Sequence, residues 1–284
     1  MTRDEHGILT MTCSDRPGLI SAVTSMLALH GTNVVEAEQH SERSTNRFFM
    51  RVEFQPRGAS FDAVSSGMQA LSAQFEMEWN LRSTSNPKRF AILVSKYDHC
   101  LLDLVWRQRA GEIRAEIPLV ISNHTDLQSV VEGFSIPFFH VPISRDTKTD
   151  REAEELKLLR SYQVDFVVMA RYMQVLSPVF LGGYPMHVIN VHHGLLPSFA
   201  GAKPYDQARD RGVKIIGATA HFATEELDDG PIIDQEAVRV SHRDSTAEMI
   251  RRGRDAERLV LARAVRAYAE DRVFLDGRRT VVLA

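Results

Sequence analysis

From Arg89 onward the chain carries five short, unbroken apolar runs, FAILVS, EIPLVIS, PFFHV, DFVVMA and MHVINV, separated by polar stretches with helical character. A strand exposed on one face alternates apolar and polar residues. One that is apolar throughout must be covered on both faces. A parallel sheet with crossover helices on either side provides that cover. The sequence therefore predicts an α/β domain, a Rossmann-like doubly wound sheet, over residues 89–284. Such sheets bind ligands beyond the carboxyl ends of their strands. The last run leads into VINVHHGLLPSF, so Asn190, His192 and His193 stand at such an end.

The first 82 residues follow another plan. GILTMTC, TNVVEAEQHSE, NRFFMRVEF and EMEWNLR have strand character. DRPGLISAVTSMLALHG reads as a turn and helix, with Asp15 as its cap, Pro17 in its first turn and Gly31 at its end. A second helix carries Phe61, Val64, Met68, Leu71 and Phe75 on one face. The order βαββαβ is ferredoxin-like. STSNPK, residues 83–88, reads as the linker between the two domains. Near the C-terminus a long helix opens with a capping box, Ser245 with Glu248.

Several classes of function are disfavoured. A net charge of -3 offers no general attraction to nucleic acid or anionic lipid. The arginines from Arg251 to Arg279 are interleaved with acids, as on a solvated helix face. No run approaches the ~20 apolar residues of a membrane span. GILTMTC is too short for a secretory signal and breaks at Asp15. Two cysteines far apart, Cys13 and Cys100, suit a reducing cytoplasm and a buried apolar role. Cys100 near a helix start could instead be a nucleophile, but no base signature accompanies it. No glycine occurs from Phe90 to Ala110, so the phosphate-cradling turn of dinucleotide and P-loop sites is missing.

Side chains two apart on a strand share a face. Asn190 and His192 are expected to point one way and His193 the other, which argues against a metal held by the adjacent histidines. A histidine held only by packing is the plainer alternative for either ring. A second cluster, IIGATAHFATEELDDGPIIDQ, places His221, Asp228 and Asp229 around a strand-loop-strand. Acids in such turns often only cap the backbone. If an amide, an imidazole and a carboxylate meet, however, they can stabilise an oxyanion, move a proton and direct water at an acyl carbon.

INVHHGLLPSF followed by GVKIIGATAHFATEELDDGPIIDQ resembles the folate-dependent formyltransferase fold. SKYDHCLLDL, GAKPYDQA and the C-terminal GRDAERLVLARAVRAYAEDRVFLDGRRTVV make it similar, within that group, to the formyltetrahydrofolate deformylases. DRPGL and GTNV make the first domain resemble an ACT domain. The resemblance implies hydrolysis of 10-formyltetrahydrofolate to tetrahydrofolate and formate, with catalytic Asn190, His192 and Asp228 and no cofactor or metal. It implies folate binding by Met173, Gln174, Leu176, His221 and Leu227, and a cis bond at Leu196-Pro197. A small amino-acid effector would bind at Asp15, Pro17, Gly18 and Asn33, and the chain would be a cytoplasmic homo-oligomer. Gly194 departs from the serine usual at this place, which removes a hydroxyl. The alternatives are a formyltransferase with an amine acceptor and a non-catalytic folate or amino-acid sensor.

Overall fold

The computed structural model describes residues 5–198 and 204–284. Phe199 of the LLPSF motif and residues 201–203 of the GAKPYDQA stretch lie outside them. The chain forms two compact units, one reaching to Pro87 and including Glu270–Ala284, the other Lys88–Ala269.

The first unit contains β1 (Gly7–Ser14), α1 (Leu19–Leu29), β2 (Asn33–Glu42), β3 (Arg47–Gln55), α2 (Phe61–Phe75) and β4 (Glu78–Ser83). Its sheet has the order β2-β3-β1-β4, and adjacent strands run antiparallel. This is the expected ferredoxin-like arrangement. Leu9 and Met11 of β1 and Met50 and Val52 of β3 join a core with Val23 and Leu27 of α1 and Val64 and Met68 of α2. Asp15 does not cap α1. Gly18 holds the N-cap position with φ 93°, a backbone geometry that suits glycine.

The other face of β3 is buried too, and this corrects the domain boundary drawn from sequence. Residues 270–284 belong to the first unit, not to the 89–284 domain. After the second unit's last helix come β13 (Val273–Asp276) and β14 (Arg279–Val282), an antiparallel hairpin. Phe274 meets Phe49 with ring centroids 5.7 Å apart. Asp271 pairs with Arg82 at 2.6 Å, and buried Arg51 donates to the Glu270 carbonyl at 2.9 Å. The Asp276-Gly277 dipeptide between alternating residues was a readable hairpin signal. The preceding helical pattern obscured it.

The second unit contains β5 (Lys88–Val94), α3 (His99–Arg109), β6 (Ala115–Glu116), β7 (Val120–Ser122), α4 (Gln128–Gly133), β8 (Phe138–His140), α5 (Lys148–Ser161) and β9 (Phe166–Met169). There follow α6 (Pro178–Gly183), β10 (Val188–His192), α7 (Pro204–Asp210), β11 (Ile215–Phe222), β12 (Ile232–Arg239) and α8 (Thr246–Ala269). Strand order is β12-β11-β10-β9-β5-β7-β8, with β6 beside β5. The strands from β8 to β10 pair in parallel, as the apolar runs predict, whereas β11 and β12 add antiparallel. The chain winds outward from β5 through β7 to β8, then returns to β9 on the other side of β5. A crevice opens where the winding reverses. At α8 half of the expected capping box forms. Glu248 N–H donates to Ser245 Oγ at 3.2 Å, but the Glu248 carboxylate turns to Arg251 and Arg252.

Candidate active site

β10 ends on Asn190, Val191 and His192, and β11 runs antiparallel beside it. Asn190 lies opposite His221, and His192 opposite Thr219. Opposed residues of an antiparallel pair share a face. Alternation along the strands and pairing across them thus gather four polar side chains on one face. Thr219 secures the chain beyond the histidines: its hydroxyl donates to Gly194 O at 2.8 Å and accepts from Leu196 N–H at 3.0 Å. The Leu196-Pro197 bond is cis, as the resemblance implied.

The hydrogen bonds of His221 determine its tautomer. Nδ1 lies 2.9 Å from the Phe222 carbonyl, which can only accept, so Nδ1 carries the proton. Burial lowers the His221 pKa against the opposing pull of that bond and of Asp228, and the ring is neutral. Its Nε2 is then an acceptor, 3.2 Å from Asn190 Nδ2. The Asn190 amide donates there, which orients the group and leaves its second N–H for an oxygen in the crevice.

Asp228 arrives from the β11–β12 turn. A Cβ at Gly230 would lie 1.7 Å from Phe222 O, so the turn closes this tightly only with glycine. Asp228 itself has φ 57°. Left-handed backbone costs a non-glycine residue about 1 kcal/mol, and a short polar side chain bears it best. Asp228 Oδ2 sits 3.1 Å from His192 Nδ1, and Oδ1 sits 3.9 Å from His221 Nε2. An ionised carboxylate accepts, so His192 Nδ1 is a donor and Nε2 is the nitrogen that can exchange a proton.

These groups border a cavity of about 570 Å³. Met173, Gln174, Leu176, His221 and Leu227 line it together with Asn190, His192 and Asp228. Every folate and catalytic position expected from sequence therefore borders one space.

A second polar cluster, which no sequence pattern announces, borders the same cavity. Glu257, on α8 and 1 % exposed, accepts from Tyr205 O–H at 3.0 Å and bonds His99 Nε2 at 2.8 Å. The Arg171 guanidinium stands 3.5 Å from the same carboxylate and over the Tyr97 ring. Burial pushes the Glu257 carboxyl up, but His99 and Arg171 more than offset it and hold it below its usual range. With Cys100 Sγ, His99 and Glu257 form a trio within 4.8 Å. The carboxylate is already committed to three partners, and a cation there would meet the guanidinium. Burial pushes the Cys100 thiol well up, which removes it as a nucleophile. The GRDAERL stretch read as a solvated helix face; a Glu three residues before a buried Val260 was the available signal.

His193 corrects another expectation. It does not leave the site but lines the same cavity, its ring 5.2 Å from that of His192. β10 has ended by His193, so strand alternation no longer governs it. Burial, then the Arg171 charge, push its pKa down to about 4.

In the first unit, Asp15, Pro17 and Gly18 border an opening of about 580 Å³. Asn33 is not among the residues bordering it; it donates to Gln55 Oε1 at 3.3 Å.

Residues 88–265 match the family described as Formyl transferase, and residues 7–59 match the ACT domain family. The chain is 46% identical to a formyltetrahydrofolate deformylase of Synechocystis sp., over 97% of this chain and 98% of that one. It is 43% identical to the Bacillus subtilis protein of the same name, over 98% and 94% of the two chains. The crystal structure of a formyltetrahydrofolate deformylase from Pseudomonas syringae pv. tomato superposes with a TM-score of 0.96 at 44% identity, covering 100% of this chain and 96% of that one.

Proposed function

The chain belongs to the formyltetrahydrofolate deformylase family, and we propose that it hydrolyses 10-formyltetrahydrofolate to tetrahydrofolate and formate using Asn190, His192 and Asp228. The formyl group on N10 enters the end of the cavity that these three residues border. Asp228 holds His192 through Nδ1–H and balances its charge, and His192 Nε2 draws the proton off a water that attacks the formyl carbon. The carbonyl becomes a tetrahedral oxyanion, which accepts from the amide N–H of Asn190 and from His192. The C–N10 bond then breaks, N10 takes a proton delivered through His192, and formate leaves. His221 serves beside the substrate as a neutral ring that holds the Asn190 amide in its donating orientation.

The observation that carries this reading is the 3.1 Å contact between Asp228 and His192, beside an amide whose orientation His221 dictates. Its test is incubation with 10-formyltetrahydrofolate and no acceptor. Stoichiometric formate and tetrahydrofolate are expected. A requirement for an amine acceptor would make the chain a transferase. Substrate binding without turnover would make it a sensor.

The first unit has the fold to take a small-molecule effector. We infer that Asp15, Pro17 and Gly18 contribute to a site for a small amino acid in a homo-oligomer, with Asn33 supporting β2 rather than touching the ligand. Calorimetry with millimolar glycine and methionine tests the effector, and sedimentation tests the assembly. Among the described residues no helix is long and apolar enough to cross a membrane.

A further inference from the structure

Five consecutive residues, Tyr172 to Leu176, line the cavity from the segment between β9 and α6. That segment has no helix or strand hydrogen bonds of its own, so its shape depends on outside ties. One comes from the sheet: Met173 N–H donates to Ser95 Oγ at 3.1 Å, and that hydroxyl donates to Asn123 Oδ1 at 2.7 Å. Two more come from carboxylates on α5, a helix that contributes no residue to the cavity lining. Tyr172 O–H donates to Glu155 Oε1 at 2.8 Å, and Ser177 N–H donates to Glu152 Oε1 at 3.0 Å.

These carboxylates are unusual. Glu152 is 2 % exposed and Glu155 is fully buried, yet among the described residues the second oxygen of each has no hydrogen-bond partner. Lys148 approaches Glu152 at 3.9 Å. The groups acting on Glu155 are Tyr172 from the loop and Glu152 and Glu154 from its own helix. Burial, reinforced by the neighbouring acids, pushes the Glu155 carboxyl up to about 7 against the Tyr172 hydrogen bond. An apolar side chain would fill such a place at less cost if packing were all it did. The hydrogen bonds the two acids do make both end on the cavity loop.

We propose that Glu155 and Glu152 are positioning residues for substrate binding, acting through Tyr172 and the Ser177 amide to hold residues 172–176 in the shape that receives the folate. This rests on reading the cavity as the folate site. The acids never touch substrate, so their loss weakens binding and leaves the chemical step nearly intact.

The experiment is steady-state deformylation by the full-length chain with Glu155→Leu, Tyr172→Phe, the two combined, and Glu155→Gln. Glu155→Leu and Tyr172→Phe are each expected to raise KM about tenfold, the value of one buried hydrogen bond, with kcat within about threefold. The double variant should be no worse than either single, because both remove the same bond. Glu155→Gln keeps the acceptor oxygen and should recover most of the affinity that Glu155→Leu loses. An unchanged KM in Tyr172→Phe, losses confined to kcat, or single effects that multiply in the double would each overturn the proposal. If Glu155→Leu does not fold, Tyr172→Phe and Glu155→Gln still decide. Failure of the functional reading looks different: the unaltered chain would then release no formate.

Discussion

Two carboxylates, Glu257 buried and Asp228 partly so, border one cavity, and their surroundings assign them opposite work. Glu257 is saturated: Tyr205 holds one oxygen, His99 the other, and Arg171 balances the charge. Asp228 sits on a left-handed turn against His192, the ring beside the proposed reacting carbon. A carboxylate whose bonds are all spent within the protein contributes order. One placed by backbone strain against a proton-exchanging ring can contribute chemistry. Glu155 is the intermediate case, bonded once and buried, with no balancing cation among the described residues.

Asp228→Asn offers the strongest test of that contrast. It keeps the shape and removes the charge, and kcat should fall about a thousandfold while tetrahydrofolate binding persists. Steady-state rates with calorimetry check it, and turnover near that of the unaltered chain would erase the distinction. Glu257→Leu should do the reverse. Arg171 and His99 lose their counter-charge, and stability should fall by about 3 kcal/mol in denaturant unfolding, with kcat within about tenfold among molecules that fold.

Glu155 sharpens the comparison through pH. Its carboxyl titrates at about 7 in the native chain against an ordinary 4.5, so the native state binds the proton more tightly. The contribution of Glu155 to native stability is therefore greatest below pH 4.5, declines between about 4.5 and 7, and is level above. Glu155→Gln cannot ionise. Its unfolding free energy relative to the unaltered chain should gain about 2 kcal/mol between pH 5 and pH 8. A constant difference across that range would mean Glu155 is ionised throughout. The smallest effect expected is that of His221→Leu. The Asn190 amide loses its acceptor and its fixed orientation, and kcat should drop about tenfold with KM little changed.

Much of this arrangement was legible along the chain. The apolar runs announced the parallel sheet, and VINVHHG with LDDGP announced the residues that border the proposed site. The helix KTDREAEELK hid its role. Acids at 152 and 155 look solvated when read in order, and only the loop packed against α5 reveals that they are buried. His99, Arg171 and Glu257 carry no mark in the sequence for a related reason. They lie on three elements far apart in sequence, and no spacing rule joins them. Residues 270–284 read as continuous with the helix before them, whereas Phe274 and Asp271 pack on the first unit.

By itself the sequence determined which residues share a strand face, because that follows from the geometry of an extended backbone. It set Asn190 and His192 on one side of β10 whatever lay alongside. Which strand lies alongside, and in what register, is decided by long-range pairing that no local pattern encodes. That pairing put His221 opposite Asn190, and a glycine-dependent turn brought Asp228 to His192. Cross-strand contacts join residues some thirty positions apart. Only the folded chain, through the burial it gains by packing, selects among the registers that local propensity leaves open.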